Sequence, residues 1–440
     1  MFEHVVNRSP ILNQPLSAKY VKSFAYPTFK ERIPKIIDSV IECLNINYVK
    51  EKCEDEAVIQ EVEIIKQKIL NLRNSMVSDG DLLPFNLNSG IFAQITSVYN
   101  KMIEQLKKSN NGSSPTWFQT EWLFAECYLY YRLHEIFYTS NTFKHYDPFL
   151  AVKIDSLLAS NDAVYTLAGL LVETKEKTVP TGSKLEELFK FYLKCSLWGN
   201  KSDLSLSNGK AVGAEDTFST FNEMDSEILV NDSRIAYDVL KKKDNTIDII
   251  LDNAGYELFN DLVFADFLIW SGIAKTVVFH GKNIPWFVSD VTPTDFKIIF
   301  DLLETKLKNE NTLTLVNSWR EYLDEGVWEL KCEPFWTYPC DFSKMSSEAP
   351  ELYKKLGLSD LLIFKGDLNY RKLMGDIFWE PTTSFKFALR GFEPTNVLAL
   401  RTVKADTISG LPKGVFEELN AKEANWMITG KYALIQLLRK

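Results

Sequence analysis

The stretch TIDIILDNAGYELFNDLVFADFLIWSGIAKTVVFH, Thr246 to His280, decides how this chain folds. It opens with an apolar, β-branched run that stops abruptly at Asp252-Asn253. The next segment, YELFNDLVFADFLIWSG, reads as a helix, and KTVVFH returns to strand character. Short links between such pieces predict parallel pairing of the two strands, with a right-handed crossover through the helix.

Further along, SDLLIFKGD and NVLALRTVK are short β-rich apolar runs that end in polar or charged residues, and TGKYALIQLL reads as a last strand. Near-continuous apolar strands flanked by helices are what a parallel sheet covered on both faces requires. Upstream of Gly199 the grammar is helical. Ile33, Ile36, Ile37, Val40, Ile41 and Leu44 recur at helical spacing after Pro27, and EAVIQEVEIIKQKILNLRNSM and GIFAQITSVYNKMIEQLKK repeat that pattern. TWFQTEWLFAECYLYYRLHEIFY is apolar on most sides and predicts a central helix. More helices are expected around Ala163–Thr174 and Lys184–Cys195, and the polar stretch from Gly199 to Asp216 separates the halves. The expected architecture is therefore α/β: a helical N-terminal subdomain over 1–198, then an α/β/α sandwich with a mainly parallel open sheet over 199–440.

Composition limits the function classes. The 45% hydrophobic content over 440 residues supports sizeable cores. A net charge of −9 gives no footprint for a nucleic-acid partner. Six cysteines without CxxC or paired spacing suit a reducing compartment, and LVFADFLIW is too short to span a bilayer. MFEHVVNRSP lacks the basic-then-apolar order of a signal peptide. The expectation is a soluble protein of the cytoplasm, with or without the nucleus, and with no membrane partner. Protein partners are unknown from sequence.

In open parallel sheets, ligands bind beyond the carboxyl ends of the strands. Asp252-Asn253, Lys365-Gly366-Asp367 and Arg401-Thr402-Val403-Lys404 all fall at that edge, and the loop GKNIPWFVSDV brings Asp290 there. Two acids and an amide suit a hard divalent cation, while Lys404, with Arg401, suits a bound phosphate. Each group also has an ordinary explanation. Asp-Asn after a strand is more often a turn or cap, Asp290 is placed to cap a helix near Pro293, and Asp367 to cap one through Tyr370. Their convergence on one edge favours metal-assisted phosphoryl chemistry. No GxxxxGK[ST] or GxGxxG motif is present, and Ala254 rules out a pair of aspartates two apart. His280 is expected to serve structure, and Cys127 and Cys195 to be buried and inert.

Together LDNAGYEL, IPWFVSDV, LIFKGDLNYRKL and LRTVKAD resemble the damage-control phosphatases, and most nearly their sugar-phosphate phosphatase subfamily, also called acidic-residue methyltransferase-like. SFAYPTFKERIP, EWLFAECYLYYRL and SLWGNKSDLSLS extend the resemblance across the N-terminal half. It implies a metal-dependent phosphatase of small phosphorylated metabolites such as fructose 1-phosphate and fructose 6-phosphate. Mn²⁺ or Mg²⁺ is the implied metal, with Co²⁺ or Ni²⁺ as substitutes. Asp252, Asn253 and Asp290 are its implied ligands, and Glu257 faces the substrate. Asp367, Leu368, Asn369, Tyr370 and Arg371 are implied to line the pocket, with Lys404 on the phosphate. Among these, Asp252, Asn253, Asp290, Asp367 and Lys404 are the catalytic candidates, and Asp367 or Glu257 the proton carrier. Ala254, Tyr256, Met374 and Ile377-Phe378 depart from the family pattern, which bears on substrate preference. The alternative attached to the family is an adenosylmethionine-dependent protein-glutamate carboxyl O-methyltransferase, although LDNAG has a single glycine where close cofactor approach wants more.

Overall fold

The computed structural model describes all residues except 1, 3, 49–52, 200–223 and 243. The polar stretch read as the divider of the halves therefore lies, beyond Gly199, outside the described residues. Among the described residues, seven strands form one sheet in the order β1-β7-β6-β5-β2-β3-β4. Their ranges are β1 Ile228–Asn231, β2 Asn245–Ile250, β3 Ala274–His280, β4 Trp328–Lys331, β5 Leu361–Lys365, β6 Val397–Thr402 and β7 Ala433–Leu438. Every pair is parallel except β6 with β7. The α/β sandwich with a mainly parallel sheet read from the strand grammar is thus the observed architecture.

Side chains on successive strand residues point to opposite faces, and here they feed two separate cores. Ile247, Ile249, Leu361, Ile363, Leu398 and Leu400 enter one core. Ile250, Leu362, Phe364, Val397 and Ala399 enter the other. Burial on both faces is why these strands read as unbroken apolar runs. The edge strands β1 and β4 have no such run: only the first residue of each is buried, and sequence periodicity does not mark them.

The helical N-terminal segments cover both faces. Helices α1 (Ile33–Tyr48), α2 (Glu56–Val77), α3 (Gly90–Ser109) and α4 (Trp122–Tyr138) supply the first core. Helices α5 (Leu150–Leu158), α6 (Asn161–Lys175) and α7 (Ser183–Trp198) supply the second, against α8 (Tyr256–Trp270), the crossover between β2 and β3. Two expectations are adjusted. Helix α4 begins at Trp122 rather than near Thr116, because Phe118 N–H donates to Asp79 Oδ1 at 2.8 Å and Thr116 and Glu121 form bridges with Asp81 and Ser17. Helix α5 is the second, absent from the periodicity reading; its buried Lys153 pairs with the nearby Asp147 at 2.9 Å and with Asp295, distant in sequence, at 2.8 Å.

The chain leaves β2 toward β3 and β4 on one side, then returns to place β5 on the other. The order reverses between β2 and β5, and that is where the carboxyl-end crevice of an open sheet lies. Among the described residues no helix is long and apolar enough to cross a membrane, and the six cysteines are unpaired.

Candidate active site

None of the edge acids caps a neighbouring helix in the way first expected of it. Helix α8 has Gly255 at its N-cap with no side-chain cap bond, so neither Asp252 nor Asn253 caps it. The helix α9 (Pro293–Thr305) is capped by a reciprocal Thr292–Asp295 box, which leaves Asp290 free of that task. Helix α11 (Gly366–Met374) has Lys365 at its N-cap, and Asp367 instead accepts from Arg401 Nε at 2.7 Å and Lys404 N–H at 3.1 Å.

What remains is a cleft of about 190 Å³ lined by Asp252, Asn253, Glu257, Ser289, Asp290, Gly366, Asp367 and Lys404, among others. The loops after β2 and β3 are zipped together there. Asn253 bridges to Asp290, Ala254 N–H donates to Ser289 O at 2.7 Å, and Val291 N–H donates to Asp252 O at 2.9 Å. Asn253 Nδ2 donates to Asp252 Oδ2 at 2.8 Å and to Glu257 Oε2 at 2.7 Å, while Ser289 Oγ donates to Asn253 Oδ1. Those bonds fix the amide so that its oxygen lies on the side of the Asp290 loop. That loop is strained: Phe287 and Val288 have φ of 43° and 71°, a conformation a β-branched residue rarely adopts. Stacking of Phe287 on Tyr130, with ring centroids 4.6 Å apart, helps hold it.

The cluster is short of positive charge. Burial, with Glu257 and Asp290 nearby, holds the Asp252 carboxyl well above its ordinary range. Burial likewise pushes Asp290 up to about 6, partly offset by the Lys282 ammonium. Lys282 Nζ stands 3.4 Å from Asp290 Oδ2, and that oxygen is buried without a hydrogen bond. Lys365 is drawn lower down, 3.0 Å from Asp261 and 3.7 Å from Glu257. The two buried acids Asp252 and Asp290 and the oriented amide oxygen of Asn253 form a hard-donor set that fits a divalent cation, with water completing the shell. Among the described residues no three His, Cys, Asp or Glu side chains form a metal-binding group, so the amide is needed to make up the set.

Gly366 marks how closely β5 approaches β2. Its φ is +79°, and a Cβ there would lie 1.8 Å from Asp252 Oδ2. Gly366→Ala must displace Asp252 and strain the backbone, and is expected to lower unfolding free energy by about 1–3 kcal/mol. A urea midpoint equal to wild type would contradict that approach.

The remaining sequence candidates divide. Leu368 and Arg371 line the cleft with Asp367, and Arg371, four positions on, lies on the same side of α11 as Asp367. Asn369 and Tyr370 do not line the cleft. Asn369 Nδ2 donates to Lys365 O at 2.8 Å and Leu251 O at 3.2 Å, and Tyr370 Oη donates to Gln436 Oε1 at 2.9 Å. Arg371 reaches the wall already paired, to Glu126 at 2.6 Å and Asp376 at 2.8 Å, with its guanidinium 3.7 Å over Trp122. Arg401 is likewise spent inward, on Asp367, Thr407 O and Ala405 O. Lys404 stays half-exposed at the cleft, its stem against Gly430. His280 Nε2 pairs with Asp248 Oδ1 at 2.6 Å beneath the sheet edge, the structural role expected of it. Cys127 and Cys195 are buried, and burial pushes the Cys127 thiol up to about 12 and that of Cys195 well above its usual value. Gly255 abuts Lys153 O and Ser156 on α5 and is absent from the cleft wall, so the one glycine of that turn offers no edge to a ligand.

Sequence reasoning missed the opposite wall, made by Phe24, Arg32, Trp122, Glu126 and Tyr130 from the N-terminal half, with Leu197 and Phe287. The signal available was Glu126, the one charged residue in the first ten of its helix, which needs a buried partner.

A family model described as "Damage-control phosphatase ARMT1-like domain" matches residues 28–419. Similar proteins named "Damage-control phosphatase ARMT1" include one from Danio rerio, 39% identical over 442 residues and covering 96% of each chain. Another, from Homo sapiens, is 36% identical over 436 residues, covering 96% of this chain and 97% of that one. A crystal structure of a DUF89 family protein from Pyrococcus horikoshii covers 78% of this chain and 90% of that chain, at 16% identity and a TM-score of 0.39.

Proposed function

The chain belongs to the ARMT1-like damage-control phosphatase domain family, and from that premise we propose that it hydrolyses phosphomonoesters of small metabolites with the help of a divalent cation. Fructose 1-phosphate and fructose 6-phosphate are representative substrates, and Mn²⁺ or Mg²⁺ the proposed cofactor. The observation that supports this most is the meeting of Asp252, Asn253 and Asp290 in one cleft with Lys404.

Asp252, Asn253 and Asp290 would hold the cation, which when bound supplies Lewis-acid polarisation of the phosphoryl group and a more acidic water. The chain's own groups do the rest. Lys404 neutralises the charge that builds on the phosphate oxygens as the ester bond to phosphorus breaks. Glu257 is tethered by Asn253 on one oxygen, while its other oxygen is 3.7 Å from Lys365, so it stays placed to take a proton from attacking water. Asp367 is held as an acceptor by Arg401 and the Lys404 backbone, which suits orienting a sugar hydroxyl rather than moving a proton. Phe24, Trp122, Tyr130, Leu197 and Phe287 add apolar surface to a cleft whose lining is otherwise mostly polar.

A panel of phosphometabolites assayed for phosphate release tests this. Release is expected with added Mn²⁺ or Mg²⁺ and is expected to vanish with a chelator. Undiminished release in chelator would contradict the metal, and no release from any phosphoester would contradict the reaction.

A further inference from the structure

Among the described residues three cations line the cleft, Arg32, Arg371 and Lys404, and two of them keep no carboxylate partner. Arg371 is neutralised by Glu126 and Asp376. Among the described residues no carboxylate pairs with Lys404 or Arg32. Lys404 stands at the sheet edge; Arg32 comes from the opposite wall. Arg32 also lines a second, open groove of about 430 Å³, in which Lys35 adds a second cation and Glu31 one carboxylate beside Phe24, Pro27 and Ile36. The cleft therefore continues outward past Arg32, with an uncommitted guanidinium at the junction.

Its backbone is held firmly for a surface residue. Arg32 ends a π-helical turn, Thr28–Arg32, a geometry seen often at functional sites. Phe29 within the turn and Ile33 just after it are fully buried. Upstream, Phe24 N–H donates to Asp406 Oδ2 at 3.0 Å, which ties the segment to the loop after β6.

We infer that Arg32 forms a second anion subsite at the cleft mouth, selecting phosphorylated metabolites that carry another phosphate or a carboxylate distant from the reacting phosphate. This rests on the phosphatase reading, in which Lys404 receives the reacting phosphate. A guanidinium offers paired N–H donors suited to either oxyanion.

Initial rates of phosphate release with Mn²⁺ test the inference, using fructose 6-phosphate, fructose 1,6-bisphosphate and 6-phosphogluconate. Wild type, Arg32→Gln and Lys30→Gln are compared. Lys30 lies on the same turn but its ammonium sits 5.1 Å over the Tyr26 ring, away from the cleft, so it controls for loss of one charge. Wild type is expected to favour the bisphosphate, the sugar acid or both over the monophosphate in kcat/KM. Arg32→Gln is expected to cut that preference roughly three- to tenfold, through KM rather than kcat, while Lys30→Gln keeps it. Preference for both probes that carry a second anionic group assigns the subsite to oxyanions in general; preference for the bisphosphate alone assigns it to phosphate. A wild type without preference, or a preference that survives Arg32→Gln, overturns the subsite. No phosphate release from any of the three by wild type overturns the phosphatase reading and the subsite with it.

Discussion

Asp252→Asn is expected to lower metal-supported phosphate release by roughly 10²–10³-fold, the scale seen when one electrostatic contact to a reacting centre is removed, without weakening the fold. The substitution keeps the shape and can still accept from Asn253 Nδ2, 2.8 Å away in wild type. What it removes is one negative charge from a buried cluster in which Glu257 and Asp290 already push the Asp252 carboxyl up. A carboxylate raised in the folded state costs stability once ionised, so the metal-free variant is expected to melt no lower than wild type and as much as about 1 kcal/mol above it. Added Mn²⁺ should raise the Tm of wild type, because a ligand of the native state stabilises it. The variant should lose most of that gain. Activity loss with a parallel drop in metal-free stability would indicate that Asp252 serves folding, and would contradict its proposed role.

The second large effect is on stability. Arg371→Leu leaves Glu126 and Asp376 buried without their shared cation, and removes the guanidinium stacked 3.7 Å over Trp122. Breaking a buried ion pair from one side costs about 3–5 kcal/mol, because the remaining charges stay desolvated. Arg371 lies on α11 and Glu126 on α4, so this contact also clasps the N-terminal half to the sheet. Urea unfolding followed by tryptophan fluorescence is expected to show that loss as a lower midpoint. Arg371→Lys should recover only part of it, since an ammonium cannot serve Asp376 through two parallel bonds and Glu126 at once. A loss under about 1 kcal/mol would return Arg371 to the role of a substrate contact.

Much of this site was legible because a parallel sheet writes its edge into the sequence. Strands β2, β5 and β6 are buried on both faces, so each reads as an apolar run, and the residues that interrupt it mark the carboxyl edge. Such a reading puts Asp252, Asp367 and Lys404 at that edge, and the structure brings the three to one cleft. Asp290 was found through the loop after β3, but what distinguishes it from a cap, the Thr292–Asp295 box, is a matter of three-dimensional geometry. The edge strands β1 and β4 lack the run and were missed. The commitments of Arg401 and Arg371 were also hidden, since a basic residue near a strand end looks the same whether it faces a phosphate or a buried aspartate. Nothing local tells that Phe24, Arg32 and Trp122 form the far wall, because the contacts that place them span most of the chain.

The most direct test of the metal centre is diffraction from crystals soaked in Mn²⁺, with the ion located by its anomalous scattering. One peak is expected within about 2.0–2.6 Å of oxygens from Asp252, Asn253 and Asp290, the range for hard cations on oxygen donors. A peak elsewhere, or none at saturating Mn²⁺, would contradict the account.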